Sequence, residues 1–377
     1  MVPVPPFLAP EPVTAEDSIV EADLPGQVRQ TLADYLRARR AESRALDAAF
    51  AEAVDELVGF VLGGGKRIRP TFAWWGWRAA GGPAEGPEAA AMLRVASSLE
   101  LIQACALVHD DLIDGSDTRR GKPTVHRSFA ARHRARGWNG SDDRFGTAAA
   151  VLLGDLALAW ADDMLHSAGM PPEALARGLR PWRAMRTEVL AGQYLDTLGP
   201  VRGDETPQAA LRIDELKAAS YTVQRPLEIG AELAGAGEQA LEALRRFGCD
   251  IGVAFQLRDD LLGVFGDPEV TGKPAGDDLR EGKRTLLIAE GFQSAREHGD
   301  SDALELLRGV LGDAELDEKR VELAREALIR LGAVDAVERR ITELTGTAMA
   351  ALHGAGLAEP AASRLADLAV AVTDRTR

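Results

Sequence analysis

Residues 88–114 contain neither glycine nor proline and carry apolar side chains at helical spacing, which commits them to a long and largely buried helix. The same period recurs along most of the chain. Helices are predicted over 27–62, 71–79, 147–168, 172–197, 208–234, 237–265, 284–297, 301–312, 316–331, 333–353 and 358–374. Glycine and proline punctuate them at Gly63-Gly64-Gly65, Gly81-Gly82-Pro83, Gly115, Gly121 and Pro123, and the polar stretch 137–146 reads as another loop. No β-rich run of convincing length occurs. Hydrophobic residues form 46% of the chain but aromatics only 5%, so the core must be built mainly from Ala, Leu and Val. The expected class is all-α: a flexible proline-rich tail over 1–25, then one large helical domain over 26–377.

A formal net charge of −15 leaves no basic stripe for nucleic acid, and no such partner is expected. The two cysteines, Cys105 and Cys249, lie inside apolar helical stretches, which argues against a disulfide framework or zinc site and suits a reducing compartment. The N-terminus lacks a signal pattern, and charge interrupts every long Ala-rich segment. A cytoplasmic enzyme without a stable membrane anchor is the expectation.

Chemistry concentrates in two acidic motifs. Asp110-Asp111-Leu112-Ile113-Asp114 ends the most apolar helix, with Asp110 and Asp114 on one face. Three carboxylates repel one another unless a cation sits among them, and the C-terminal end of a helix dipole makes their placement worse. Mg2+ suits such a site, because it prefers oxygen, keeps several waters and often shares carboxylates with substrate phosphates. The second motif is Asp259-Asp260, which follows the apolar run 251–257. Either motif alone could be a solvated surface. Two of them closing two apolar helices could face one another across a cavity and hold several metals around one diphosphate.

Basic residues interleave with these motifs. Lys66 and Arg69 follow the glycine break, Arg119-Arg120 follow Asp114, Lys217 sits on a helix between the motifs, and Lys273 and Lys283 flank Asp277-Asp278. Arginine suits bidentate phosphate contacts and lysine supplies a compact charge.

Together, segments 64–70, 110–114, 119–124, 255–260 and 272–285, with Lys217, resemble the trans-isoprenyl diphosphate synthase family, also called polyprenyl synthetases. Around both acidic motifs the chain looks most like actinobacterial geranylgeranyl diphosphate synthases. The resemblance covers roughly residues 27–350. It implies the isoprenoid synthase fold, a central cavity ringed by helices, and a homodimer. It also implies condensation of isopentenyl diphosphate with an allylic diphosphate (dimethylallyl, geranyl or farnesyl). By motif, Asp110, Asp111, Asp114, Asp259 and Asp260 would hold Mg2+. Arg119, Lys217, Gln256, Lys273 and Lys283 would contact the allylic diphosphate, and Lys66, Arg69 and Arg120 isopentenyl diphosphate.

Three positions depart from the family pattern. Gly263 stands where a third Asp is common in the second motif. Gln103 replaces a common His at the isopentenyl site, and its amide can still donate. Ala218 follows Lys217 where a hydroxyl is common, leaving Ser220 or Thr222 as substitutes. Product length is read from the helix before Asp110. Leu99, Ile102, Ala106 and Asp110 share one wall. Short-chain relatives place a bulky aromatic four or five residues before the first Asp; here Cys105 and Ala106 are small. The tail is therefore expected to pass that level and stop near Ile102, Leu99 or Trp160, giving geranylgeranyl diphosphate. The alternatives are a longer polyprenyl or a farnesyl diphosphate synthase, a class I terpene cyclase, or a non-catalytic subunit of a heteromeric synthase.

Overall fold

The helical periods of the sequence become helices in the computed structural model, which describes residues 19–266 and 276–374. These residues form two compact units: one runs to Gly178 and includes Gly230–Gly235, and the other takes Leu179–Ile229 and the chain from Ala236.

The first unit opens with α1 (Ile19–Ala22) and α2 (Leu24–Leu46). Residues 1–18 of the expected tail lie outside the described residues. Residues 19–25, expected to be loose, are helical or helix-capping. Glu21 accepts hydrogen bonds from Arg78 Nε at 2.6 Å and Trp74 Nε1 at 3.3 Å, and the Asp23 side chain caps α2. The helix expected over 27–62 is broken at Asp47. Its extended backbone ends α2, and its carboxylate accepts from the Ala49 and Phe50 amides to start α3 (Ala48–Leu62). Aspartate competes with the helix ladder in mid-helix and favours this capping role.

After the glycine break come α4 (Ile68–Ala79) and α5 (Gly86–Ile113). By length and composition α5 could cross a membrane, contrary to the reading that no segment could, but 72% of its most apolar window is buried inside the protein. A short hairpin, β1 (Thr118–Arg119) and β2 (Lys122–Pro123), leads into α6 (Val125–Arg136) and α7 (Asp142–His166). No helix is predicted over 124–136 from the sequence. Its apolar positions Val125, Phe129 and Ala130 are buried, but the intervening basic residues dilute the period. Glycines permit the close crossings: a Cβ on Gly154 of α7 would fall 2.1 Å from the His109 ring of α5, and one on Gly146 would fall 2.2 Å from the His126 carbonyl.

The second unit is entered within α8 (Pro172–Arg202) and continues through α9 (Pro207–Ile213) to a π-helical segment, Asp214–Gln224. The chain then forms α10 (Arg225–Ala234), α11 (Glu238–Phe265), α12 (Asp277–Arg280), α13 (Leu286–His298), α14 (Ser301–Val310), α15 (Glu318–Arg330), α16 (Ala333–His353) and α17 (Ala361–Thr373). Leu257 and Leu261 of α11 pack in a core with Leu287 and Phe292 of α13, Leu307 of α14, Leu328 of α15 and Val337 of α16.

The single helix expected over 208–234 is thus three pieces. Pro226 cannot donate to the α ladder, which favours a register change just before it. Glycines then accept the wider π turns. A Cβ on Gly192 would lie 2.4 Å from the Lys217 amide nitrogen, and Cβ atoms on Gly252 and Gly248 would lie 2.6 Å from the Cα atoms of Ala219 and Gln224. π-Helical turns are rare and occur frequently at functional sites.

Candidate active site

In the first unit, α5 carries Asp110 and Asp111 in its last turn, and Asp114 is its C-cap. Asp114 is exposed, Asp110 is half-buried and Asp111 is buried. The hairpin supplies their counter-charge. Arg119 pairs with Lys122 across a two-residue turn whose central residues, Arg120 and Gly121, have φ of 53° and 72°. This positive-φ turn suits the twist of a hairpin, although arginine is an uncommon choice for it. The turn brings Arg119 back onto the motif, where Nε donates to Asp111 at 2.6 Å and Nη2 reaches Asp110 at 3.5 Å.

Arg120 points to the glycine break instead. Its Nη1 donates to the Gly64 carbonyl at 2.8 Å, and a Cβ on Gly65 would lie 3.2 Å from its Nη2. Gly64 and Gly65 have φ of 122° and 119°, so a side chain at Gly65 would be both strained and crowded. Arg67 also has positive φ, 52°, and lies buried against Glu100 with Nη2 donating to the Val61 carbonyl at 3.0 Å. Burial lowers the Arg120 pKa; Arg119, Arg67 and Arg69 repel it further, while Glu100 opposes the shift. Arg67, Arg69 and Arg119 thus each act on Arg120, and a partly desolvated cluster of guanidinium groups suits an anion. Lys66, Arg69 and Gln103 are half-buried.

The wall of α5 divides by exposure. Ala106, Leu107 and Asp110 are partly open, as is Gln103, whereas Ile102 and Leu99 are 3% and 0% exposed. Cys105 is buried 3.7 Å from the His109 ring, and burial, aided by Asp155, pushes its thiol up to about 12. It is a neutral, small packing group. Trp160 is also buried, its carbonyl accepting from the Tyr35 hydroxyl at 3.1 Å.

In the second unit, Asp259 is exposed and Asp260 buried on α11. Gln256 donates to Asp260 Oδ1 at 2.7 Å; Asp260 Oδ2 is buried without a hydrogen-bond partner. Asp214, at the start of the π segment, is buried with Oδ2 in the same condition. Burial, then Asp196 and Glu215, pushes Asp214 up to about 8, and burial with the Asp214 and Asp278 charges raises Asp260 well above the usual carboxylate range. Lys217 Nζ pairs with Asp196 at 2.6 Å, and Lys283 Nζ lies 2.5 Å from Glu281 and 3.3 Å from Asp278. Lys273 lies outside the described residues. The buried Ser220 hydroxyl donates to Glu188, which Arg225 also holds.

Two buried carboxylate oxygens without donors fit a divalent cation, which would replace the missing hydrogen bonds. No three such side chains among the described residues close around an ion by themselves. Arg67, Glu100, Asp196 and Asp214 were not singled out from the sequence. For Glu100 the signal, a charged residue interrupting an apolar helical face, is visible only when burial is known.

The sequence pattern of the polyprenyl synthetase family matches residues 50–328. A geranylgeranyl pyrophosphate synthase from Corynebacterium glutamicum, solved with isoprenyl diphosphate and magnesium, is 45% identical, with a TM-score of 0.90 over 94% of this chain and 99% of that one. A geranylfarnesyl diphosphate synthase from Aeropyrum pernix is 33% identical over 75% of this chain and 89% of its own length. A geranylgeranyl diphosphate synthase from Mycobacterium tuberculosis is 34% identical over 69% of this chain and 68% of its own.

The buried carboxylate of Asp214 makes a pH-dependent contribution to stability. Its folded pKa of about 8 lies above the unfolded value of about 3.9, so the folded state holds an extra proton between them. The contribution is fully present below the unfolded pKa and is lost as pH rises through about 8. Thermal melting of the metal-free protein should shift downwards across that window, and Asp214→Asn should flatten the slope. Identical slopes for the two proteins would contradict the assignment.

Proposed function

The chain belongs to the polyprenyl synthetase family, and from that premise we propose that it joins isopentenyl diphosphate head to tail to an allylic diphosphate, with geranylgeranyl diphosphate as the main product. The observation that carries this reading is the meeting of the Asp110–Asp111 carboxylates with Arg119, beside the docking of Arg120 on the glycine break that holds Lys66 and Arg69.

In this reading Lys66, Arg69 and Arg120, with Gln103, hold the diphosphate of isopentenyl diphosphate. Arg119, Lys217, Gln256, Lys273 and Lys283 hold that of the allylic partner. Asp110, Asp111, Asp114, Asp259 and Asp260 hold magnesium, which when bound neutralises charge developing on the departing diphosphate. The partly open apolar wall at Ala106 and Leu107 keeps water from the allylic carbocation, which the isopentenyl double bond attacks. Released pyrophosphate accepts the lost proton, so no protein base is required. A class I terpene cyclase has no use for a second diphosphate site, and the Arg67, Arg69 and Arg120 cluster disfavours it. The reading includes a cytoplasmic homodimer. Leu190, Tyr194 and Val201 of α8 are 64%, 66% and 81% exposed, and Val151 and Leu152 of α7 are also exposed; apolar faces of this kind mark interfaces.

Purified protein should condense the two diphosphates only with magnesium. Asp110→Asn should lower kcat by about 10²-fold or more with an unchanged far-UV spectrum; full activity in chelator would refute the mechanism. Cys105→Tyr or Ala106→Phe should shorten the product towards farnesyl diphosphate, because either aromatic closes the wall one turn from Asp110, about 5.4 Å along α5. Mass analysis finding an unchanged product in both variants would remove these residues from chain-length control. Light scattering should report a dimer that Leu190→Glu combined with Tyr194→Glu converts to monomer; a wild-type monomer would dismiss the interface.

A further inference from the structure

The second unit holds a cavity of about 140 Å³ between the C-terminal half of α8, α9 and α13. Its walls are apolar: Leu195 and Leu198 of α8, Ala210 of α9, and Ile288, Ala289 and Phe292 of α13. Ile288 and Phe292 are each 1% exposed, so this floor belongs to the core of the unit. The rim is charged, with Arg202, Arg212 and Arg284 beside Asp204 and Glu205. Hydrogen bonds fix the α8–α9 connection that forms it. The Asp204 amide donates to the Gly199 carbonyl at 3.1 Å, and the Thr206 hydroxyl donates to the Asp204 carboxylate at 2.8 Å while accepting from the Ala209 amide at 3.3 Å. None of the five acidic-motif aspartates lines this cavity. Asp196 does, and its carboxylate pairs with Lys217, so the cavity backs on to the allylic cations without containing them.

An independent feature marks the rim for an anion. Glu205 collects three guanidinium groups: Arg296 of α13, Arg308 of α14 with Nη2 at 3.0 Å, and Arg284 with Nη1 at 3.6 Å. Burial alone would raise the Glu205 carboxyl, but these arginines hold it below the usual carboxylate range. One carboxylate cannot neutralise three guanidiniums, so the nest stays cationic. Arg296 and Arg308 also lie over the Phe292 ring, 5.7 and 5.8 Å from its centroid, which ties the charge to the apolar floor. Of the three, Arg284 lines the cavity itself.

We propose that this cavity is a second ligand site, for the phosphate ester of a short branched alkyl group, with the phosphate at Arg284 and Arg212 and the alkyl group against Ile288, Ala289 and Phe292. The inference goes beyond the condensation and does not rest on it, because the shape and charge of the cavity specify the ligand. Size sets the alkyl length. A dry cavity of about 150 Å³ accepts one benzene, so this one accepts a group of about five carbons and excludes a chain of several isoprene units. The rim sets the head group. A phosphate presents three acceptor oxygens and close to two negative charges, which can engage Arg284 and Arg212 while Glu205 keeps its place among the other arginines.

The test is calorimetric titration of isopentyl phosphate, a saturated ester that the condensation cannot consume. It is run in chelator, in a chain carrying Lys66→Ala and Arg69→Ala, so that neither a metal cluster nor the isopentenyl site competes. One saturable site per chain is expected. Ala209→Phe, which fills the cavity from α9, and Arg284→Gln, which removes a rim cation, should each weaken binding about tenfold or more, with melting curves confirming that each variant folds. Methyl phosphate, which keeps the head group and lacks the alkyl body, should bind about tenfold more weakly than isopentyl phosphate. Farnesyl phosphate should bind no tighter. The absence of saturable binding overturns the proposal, as does unchanged affinity in either folded variant, equal affinity for methyl phosphate, or tighter binding of farnesyl phosphate. Where Ala209→Phe fails to fold, Arg284→Gln and the comparison of esters decide. The synthase reading fails separately, if the natural chain makes no condensation product with magnesium whatever binds in the cavity.

Discussion

Carboxylates gathered near the C-terminal end of a helix oppose its dipole and one another, and the rest of this site is organised around that unfavourable charge. The two motifs answer it differently. At the first, Arg119 donates to Asp111 and reaches Asp110, so part of the charge is neutralised within the fold. At the second, Gln256 satisfies one oxygen of Asp260 and leaves the other buried and bare. There, burial and neighbouring acids raise the pKa values of Asp260 and Asp214, so a cation bound there would compete with protons.

Positioning the cationic side has a conformational cost. Arg67 and Arg120 both adopt positive φ, a region that costs a non-glycine residue about 1–3 kcal/mol. In Arg120 the strain closes the hairpin and sends the side chain to Gly64, while in Arg67 it begins α4 and buries the guanidinium against Glu100. Neither residue could be replaced by glycine to relieve the backbone without losing its charge. The complementary device is glycine where another group must approach. Gly154 admits His109, Gly192 admits the Lys217 backbone and Gly263 admits Asp278. Chemistry-bearing groups are thus set by absent side chains on the facing helix as much as by their own packing.

Most helices were legible in the sequence because their apolar period is long and their ends carry glycine or proline. The expected 333–353 is α16 to the residue, and 237–265 differs from α11 by one. The losses are local and have physical causes. Asp47 looks like one more polar residue on a helical face until its carboxylate is seen capping α3. The π segment keeps a helical pattern of side chains, so only the partner glycines on α8 and α11 reveal it. Motif spacing identified Asp110, Asp111 and Arg119, but could not show that Arg119 bridges the first two or that Arg120 turns away from it. Asp278 was visible only as a residue between lysines. The absent third aspartate at 263 was noticed from the sequence, but the group filling its space required coordinates.

The second motif is also tied to the end of the chain. Arg258, between Gln256 and Asp259, donates to both carboxylate oxygens of Glu338 on α16 at 2.6 and 2.7 Å, and its Nε donates to the Thr373 carbonyl of α17 at 2.9 Å. A bidentate guanidinium fixes orientation as well as distance. One turn of α11 therefore alternates in purpose: Gln256 and Asp260 form an internal hydrogen bond, while Arg258 anchors the same turn to two later helices. Rotation of α11 that would let Asp260 turn towards solvent would break three hydrogen bonds at Arg258. The buried, ionisable state of Asp260 is thus maintained by helices that carry no acidic motif of their own, which gives the C-terminal elements of this unit a role in presenting the carboxylates to a cation.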